Sequence, residues 1–161
     1  MSDVSDWWRT SIIDMSPGVI RLRGHAVEDL IGNVTFAQMG WLMTRGGLPS
    51  ADEAALLEAA LVAAVDHGPQ APSIATARMA VTCGLGLNGA LASAVNMLDD
   101  VHGGAGEQAV ALYGASEADP RPLEEALPDH LDRWRAANGR FVPGFGHRFH
   151  KPRDPRAPRL M

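Results

Sequence analysis

Hydrophobic and polar positions follow the spacing of amphipathic helices over most of the chain. The clearest signal begins at Ser50, where Glu53 three residues later completes a capping box. Leucines then recur at helical spacing, and the pair Gly68-Pro69 is a typical stop signal. This stretch therefore predicts a helix that runs from Ser50 towards Gly68.

Five further helices are predicted by the same kinds of signal. They cover about 35–44, 73–83, 87–97, the glycines after His102 to Tyr113, and 129–138. An extended piece is expected at 19–24 and a loop at 114–122, and prolines exclude a long regular element after Arg140. The pattern predicts an all-α protein with a single domain, 1–161, and a basic tail, 140–161.

Composition narrows the class of protein. A hydrophobic content of 46% with 20% charged residues is typical of a soluble globular chain. Cys83 is the only cysteine, so an internal disulfide is excluded and a reducing compartment is expected. The first residues, MSDVSDWWRT, carry acids where a signal peptide carries bases, and the apolar stretches are too short to span a membrane. We expect a cytoplasmic protein.

Charge is distributed unevenly. The chain has 14 basic and 19 acidic residues, yet 140–161 holds six of the bases and only one acid, Asp154. This concentration indicates either an anion-binding segment or a solvated basic end. Phenylalanines interleaved with the bases are also seen in single-stranded nucleic-acid sites, but the acidic remainder of the chain opposes that interpretation. No nucleic-acid partner is expected.

The stretch GLGLNG, 84–89, matches the glycine pattern of dinucleotide-binding proteins. That pattern has meaning only between a strand and a helix of a βαβ unit, and VHGGAG follows where the next strand would be needed. We therefore predict a tight turn between two packed helices.

His102 lies in DDVHGGAGEQ, just before a predicted helix N-terminus. One interpretation is a plain glycine turn. The other is chemical: the helix dipole disfavours an imidazolium there, and a neutral ring can donate a hydrogen bond to an oxygen on which negative charge develops. The glycines would let a substrate approach the backbone closely.

Two other histidines stand in glycine-containing turns. His67 is explained either by a favourable position in the last turn of a helix or by a role in binding. His147 follows Gly-Phe-Gly and precedes Lys151 and Arg156, which suit phosphate and carboxylate groups respectively. The spacing of His67, His102 and His147 fits no compact ligand motif and Cys83 has no thiol companion, so no metal site is expected.

Three segments together resemble the citrate synthase family. They are RLRGHAVEDLIGNVTFAQMGWLMTRGGLPS, VHGGAGEQ and VPGFGHRFHKPRDPR, in the order in which the family has them. The resemblance implies a citrate-synthase-like helical fold and a homodimer or higher homo-oligomer. It also implies chemistry on citryl-CoA, acetyl-CoA, oxaloacetate and citrate, with the coenzyme A thioester as a substrate and no permanently bound cofactor.

The resemblance also implies roles for single residues. His102 would hydrogen-bond the thioester carbonyl and His147 the keto carbonyl, which makes these two the catalytic pair. Arg156 would bind a substrate carboxylate, His67 would bind substrate, and Lys151 would lie near the phosphates of coenzyme A.

The direction of the reaction is suggested by DHGPQAPS, 66–73, which looks like citryl-CoA lyases and the citryl-CoA-cleaving module of ATP citrate lyase. The expected reaction is cleavage of citryl-CoA to acetyl-CoA and oxaloacetate. The alternatives are citrate synthase and an inactive coenzyme A- or citrate-binding or assembly fragment. Family members continue past DPR with an aspartate base, so we expect a C-terminally shortened member with little turnover by itself.

Overall fold

A computed structural model describes residues 4–142, 144–147 and 149–161. The chain divides into two compact units. The first extends to Asp66 and includes Leu160 and Met161, and the second covers His67–Arg159. Both are mostly helical, as the sequence predicts. No helix among the described residues combines the length and the apolar character needed to cross a bilayer.

Over the residues that the structure describes, the first unit contains a small antiparallel sheet and four helices. Its elements are α1 (Val4–Trp7), β1 (Ile13–Ser16), β2 (Val19–Leu22), β3 (His25–Ala26), α2 (Val27–Leu30), α3 (Phe36–Arg45) and α4 (Ala51–Ala63). The strand order is β1-β2-β3, with Ile13 opposite Leu22 and Arg21 opposite Ala26. The sequence predicted only the middle strand, as the extended piece at 19–24.

The turn between β2 and β3 connects the sheet to α3. Arg23 and Gly24 have φ angles of 50° and 86°, the left-handed pair that a two-residue hairpin of type I′ requires. The Arg23 guanidinium donates hydrogen bonds of 2.8 and 3.2 Å to the carbonyl of Met43 in the last turn of α3. That carbonyl has no partner inside its own helix, so Arg23 satisfies it.

Helices α3 and α4 both begin with a capping box. Thr35 with Gln38 starts α3, and Ser50 with Glu53 starts α4 as predicted. Helix α4 ends at Ala63, earlier than the Gly68 signal indicated. The interpretation of His67 as a residue of the last helical turn is therefore wrong.

The second unit contains α5 (Pro72–Thr82), α6 (Leu87–Val95), α7 (Ala105–Glu117) and α8 (Leu123–Asn138), and the short α9 (Ala157–Leu160) lies near its end. GLGLNG covers the end of the connection between α5 and α6 and the first three residues of α6, and the two helices pack on each other as predicted. Helix α7 continues through residues 114–117, which the sequence assigned to a loop.

Helix α8 begins six residues before the predicted start and includes Pro128. Proline removes one backbone hydrogen bond and normally ends a helix. Here Ala126 is completely buried while α8 packs against α7, and Glu124 and Glu125 lie in the first turn, where acidic side chains suit the helix dipole. The packing of α8 and its acidic first turn thus offset the hydrogen bond lost at Pro128. The local sequence pattern did not indicate a helix that starts this early.

Charged side chains fix the corner between α7 and α8. The Asp119 carboxylate accepts hydrogen bonds from Arg121 and from Nε2 of His130, and Arg121 also pairs with Asp129. The hydrogen bonds from Arg121 hold the pKa of Asp119 well below its usual range and also lower the pKa of Asp129. The corner keeps α8 beside α7, the helix on which the tail rests.

Candidate active site

The three histidines singled out by the sequence line one cavity of about 350 Å³ in the second unit. Its described lining comes from three separate loops: His67, Gln70, Ala71, Pro72, Val101, His102, Gly146, His147 and Phe149. The fold therefore brings together imidazole rings that lie far apart in the sequence.

The first of these loops runs from His67 to the start of α5. Gly68 has a φ of 78°, a conformation that glycine adopts without strain, and its carbonyl accepts a hydrogen bond from the N–H of Ala71 at 3.2 Å. Pro72 then occupies the first turn of α5, where its missing N–H costs nothing. The result is a short, weakly polar wall beside the exposed His67.

His102 acts as a cap for α5. The backbone N–H of Ser73, one of the unpaired groups at the start of that helix, donates to Nε2 of His102 at 3.3 Å. The Ser73 hydroxyl lies 3.0 Å from the same nitrogen. Because Nε2 accepts the backbone N–H, the neutral ring carries its proton on Nδ1. His102 thus has one nitrogen engaged by α5 and one N–H with which to donate.

The glycines after His102 are required by the backbone. Gly103 has a φ of 108°, and the N–H of Gly104 donates to the carbonyl of Asp99 at 3.0 Å. A Cβ on Gly104 would lie 2.7 Å from the Cα of Asp100, closer than any side chain allows. Helix α7 begins directly afterwards at Ala105, so the predicted position of His102 before a helix N-terminus is confirmed.

The tail that carries His147 is pressed onto α7. A Cβ on Gly144, whose φ is 79°, would lie only 2.9 Å from the Cβ of Ala109. Phe145 meets Tyr113 edge-on with ring centroids 6.3 Å apart. Pro143 and Arg148, which belong to the same sequence motif, lie outside the described residues. These contacts place the His147 ring in the cavity wall.

His147 is held in the opposite tautomer to His102. Its Nδ1 accepts hydrogen bonds from the backbone N–H groups of Phe149 and His150 at 3.1 and 3.3 Å. Burial lowers the pKa of His147, and electrostatic interactions with His150 and with the Arg156 guanidinium lower it further. The ring is therefore neutral at pH 7 with its proton on Nε2. Its centroid lies 5.8 Å from that of His67.

Arg156 is oriented by Asp154. The carboxylate accepts from Nε of Arg156 at 2.9 Å and from Nη2 at 2.6 Å, and these bonds hold the pKa of Asp154 well below its usual range. Arg156 and Lys151 are not among the described residues that line the cavity, and Lys151 is exposed. Arg156 still acts electrostatically on His147.

Residues 50–161 match the family described as Citrate synthase, C-terminal domain. The chain belongs to the citrate synthase family. No curated protein sequence matches it at a significant level.

Several solved structures share the fold. A citryl-CoA lyase from Hydrogenobacter thermophilus has a TM-score of 0.81 and 35% identity, and the match covers 95% of this chain and 58% of that protein. An ATP citrate lyase from Methanosaeta concilii in complex with (3S)-citryl-CoA has a TM-score of 0.80 and 21% identity over 99% of this chain and 27% of that one. A Methanothrix soehngenii ATP citrate lyase in complex with citrate and coenzyme A has a TM-score of 0.80 and 20% identity, and the match covers 98% of this chain and 27% of that protein.

These comparisons confirm the citrate-synthase-like helical fold. This family member spans about three-fifths of the length of the citryl-CoA lyase and about a quarter of the ATP citrate lyases, whose low identity shows the fold alone. The three proteins are enzymes that act on citryl-CoA or bind citrate and coenzyme A, as their names and ligands state.

Sequence reasoning missed part of this family member's site. The sequence analysis gave Ser73 no role, whereas its N–H and hydroxyl both lie within hydrogen-bonding distance of Nε2 of His102. Val101 and Phe149, exposed apolar residues of the cavity wall, were not selected at all. A signal for Ser73 does exist: a serine directly after a helix-starting proline carries an N–H that needs a partner.

Proposed function

We propose that the protein, together with the aspartate base that family members carry past DPR, cleaves citryl-CoA to acetyl-CoA and oxaloacetate. The observation that supports this most strongly is the pair of histidines in one cavity, each with one ring nitrogen accepting a backbone N–H and the other able to carry a proton. The reaction develops or removes charge on two oxygens, and this pair of donors suits that need.

The chemistry assigns one oxygen to each ring. When the carbon–carbon bond of citryl-CoA breaks, its electron pair moves into the thioester group and forms an enolate, which then gains a proton. The hydroxyl on the other carbon gives up its proton to solvent and becomes the keto group of oxaloacetate, while the enolate carbon takes up a proton from solvent, so the reaction as a whole neither releases nor consumes a proton. Nδ1–H of His102 would stabilise the enolate oxygen, and Nε2–H of His147 would hydrogen-bond the oxygen that becomes the keto carbonyl.

The loop after His67 supports cleavage over hydrolysis. A synthase must deliver water to the thioester, whereas a lyase must keep water away from it. Gln70 and Ser73 are the two polar side chains of this loop that are able to position water, and the Ser73 hydroxyl lies 3.0 Å from Nε2 of His102. Pro69, Ala71 and Pro72 add a stiff apolar surface.

The test is to supply citryl-CoA and follow acetyl-CoA and free thiol separately. We expect acetyl-CoA and oxaloacetate to form faster than coenzyme A and citrate. Mainly free coenzyme A and citrate would identify a synthase. Thermal stabilisation by coenzyme A or citrate without turnover would identify a binding module, because a ligand that binds the folded state raises its stability. Neither binding nor turnover would overturn the proposal.

Arg156 and Lys151 are expected to serve different parts of the substrate. Arg156→Ala should weaken oxaloacetate binding by about 1.5–3 kcal/mol, the worth of a hydrogen bond to a charged group, and leave coenzyme A binding unchanged. Lys151→Ala should do the reverse, so each variant controls for the other. Isothermal titration with each ligand measures both effects. Equal, small effects on the two ligands would mean that the tail is only a solvated basic end.

Self-association through the α5–α6 pair is also proposed. Leu87, Leu91 and Val95 repeat every four residues along α6 and are all more than half exposed. No charged residue occurs between Arg78 and Asp99. An uncharged apolar surface of this kind is typical of subunit interfaces.

Leu91→Glu is therefore expected to shift a homodimer towards monomer, because the interface would have to bury an unpaired carboxylate. Light scattering after size-exclusion chromatography measures the molar mass. Val62→Glu, at a similarly exposed apolar position on α4, is the matched control and should leave the mass unchanged. A wild-type chain that is already monomeric would contradict the prediction.

A further inference from the structure

A group of three side chains able to ligate a metal ion lies in the tail, 140–161. Of the three, only His147 also lines the cavity. One donor atom from each of His147, His150 and Asp154 lies within 4.8 Å of the other two. The rings of His147 and His150 are tilted by 34° with centroids 4.7 Å apart. The proposed function uses neither the His150 ring nor the Asp154 carboxylate as a substrate ligand. This group shares only His147 with the three histidines whose spacing fits no compact ligand motif.

We propose that His147, His150 and Asp154 bind a divalent transition-metal ion of the Zn²⁺ type, in competition with substrate. Two imidazoles and one carboxylate are the donors that Zn²⁺, Ni²⁺ and Cu²⁺ accept readily. All three ligands come from one short segment with the spacing H-x-x-H-x-x-x-D, so a change of side-chain torsions alone brings them closer.

The size of that closure is small. Ligands at about 2.0–2.2 Å from a tetrahedral ion lie roughly 3.3–3.6 Å from one another. The cluster must therefore contract by at most about 1.2–1.5 Å from the observed limit of 4.8 Å. His150 is exposed and its ring lies against that of His147, so its rotation disturbs little packing.

Competition with substrate follows from the partners that the ion must replace. Asp154 holds Arg156 through both carboxylate oxygens, so the ion and the guanidinium compete for it. At His147, an ion on Nδ1 takes the lone pair from two backbone N–H groups, and an ion on Nε2 takes the place of the proton. In either case the ring leaves the arrangement used in cleavage. This second step rests on the proposed function, whereas the metal site itself does not.

The experiment titrates the metal-free 161-residue chain with Co²⁺, followed by its visible absorption, and with Zn²⁺ by calorimetry. We expect one ion per chain and a loss of at least about 10-fold in affinity for His150→Ala, since removing a ligand exceeds the usual effect of removing a supporting contact. His25→Ala, which removes an exposed histidine from β3, should bind as wild type does. Circular dichroism checks that the variants fold.

Equal affinity of wild type and His150→Ala, or no saturable binding, would overturn the metal site. Because this titration contains no substrate, its outcome is independent of whether citryl-CoA is cleaved. Competition is read separately, as a Zn²⁺-dependent rise in the apparent KM for citryl-CoA that His150→Ala abolishes. A KM that Zn²⁺ does not change in the wild type would overturn the competition.

Discussion

In a form that carries the aspartate base of the family, replacing His102 by alanine is expected to lower the rate of citryl-CoA cleavage by about 10²–10³-fold, the usual effect of removing one donor to a developing oxyanion. The ring that supplies this donor is oriented by α5, through the N–H and hydroxyl of Ser73. A fixed N–H loses little free energy in reorganisation as charge develops. The measurement is kcat for acetyl-CoA formation from citryl-CoA.

Two variants separate chemistry from folding at this position. Alanine also leaves the Ser73 N–H without its acceptor, so the thermal stability of each variant must be measured beside its rate. His102→Gln supplies an acceptor and a donor in one amide and should recover part of the rate. His25→Ala removes an exposed histidine of the first unit and should be neutral. Turnover near that of wild type in His102→Ala would remove this residue from the site.

Leu42→Ala should destabilise the protein by about 2.7–5 kcal/mol, the range measured for leucine truncation in well-packed cores. Leu42 has no exposed surface and is the largest side chain buried to that degree among the described residues. It lies in α3, whose carbonyl at Met43 is also held by Arg23. Because α3 is fixed at that end, it has little freedom to collapse into the cavity that alanine would leave.

Urea unfolding followed by circular dichroism measures this loss. Leu56→Ala on α4 is the matched control, because that leucine is 59% exposed and its truncation removes little buried surface. A difference of less than 1 kcal/mol between the two variants would show that α3 repacks, in contradiction to the prediction.

Local signals predicted the helices well because the deciding contacts are local. The capping box at Ser50 and the Gly46 stop after α3 each involve residues within one turn. The predicted start of α8 was wrong because the actual start depends on the packing of Ala126 against another helix. The sequence around Pro128 contains no signal of that contact.

The candidate site likewise has a part that the sequence predicts and a part that it does not. Residue type and turn chemistry indicated His102 and His147, the resemblance to the citrate synthase family added His67, and the structure places all three in one cavity wall. The partner of His102 was not predictable, since Ser73 is 29 positions away in the sequence. The tautomers of the rings depend on backbone N–H groups, which carry no signature in the amino-acid pattern.

The contact between Gly144 and α7 has a consequence for how this family member can evolve. Every substitution of the glycine adds at least one carbon where only 2.9 Å separates it from Ala109, so no mild intermediate exists. Ala109 can yield only by becoming glycine, which costs a helix interior about 1 kcal/mol. A substitution of Gly144 therefore has to be preceded by a destabilising substitution of Ala109. We expect lineages to keep the glycine–alanine pair together or to lose it together with the position of the histidine three residues further on.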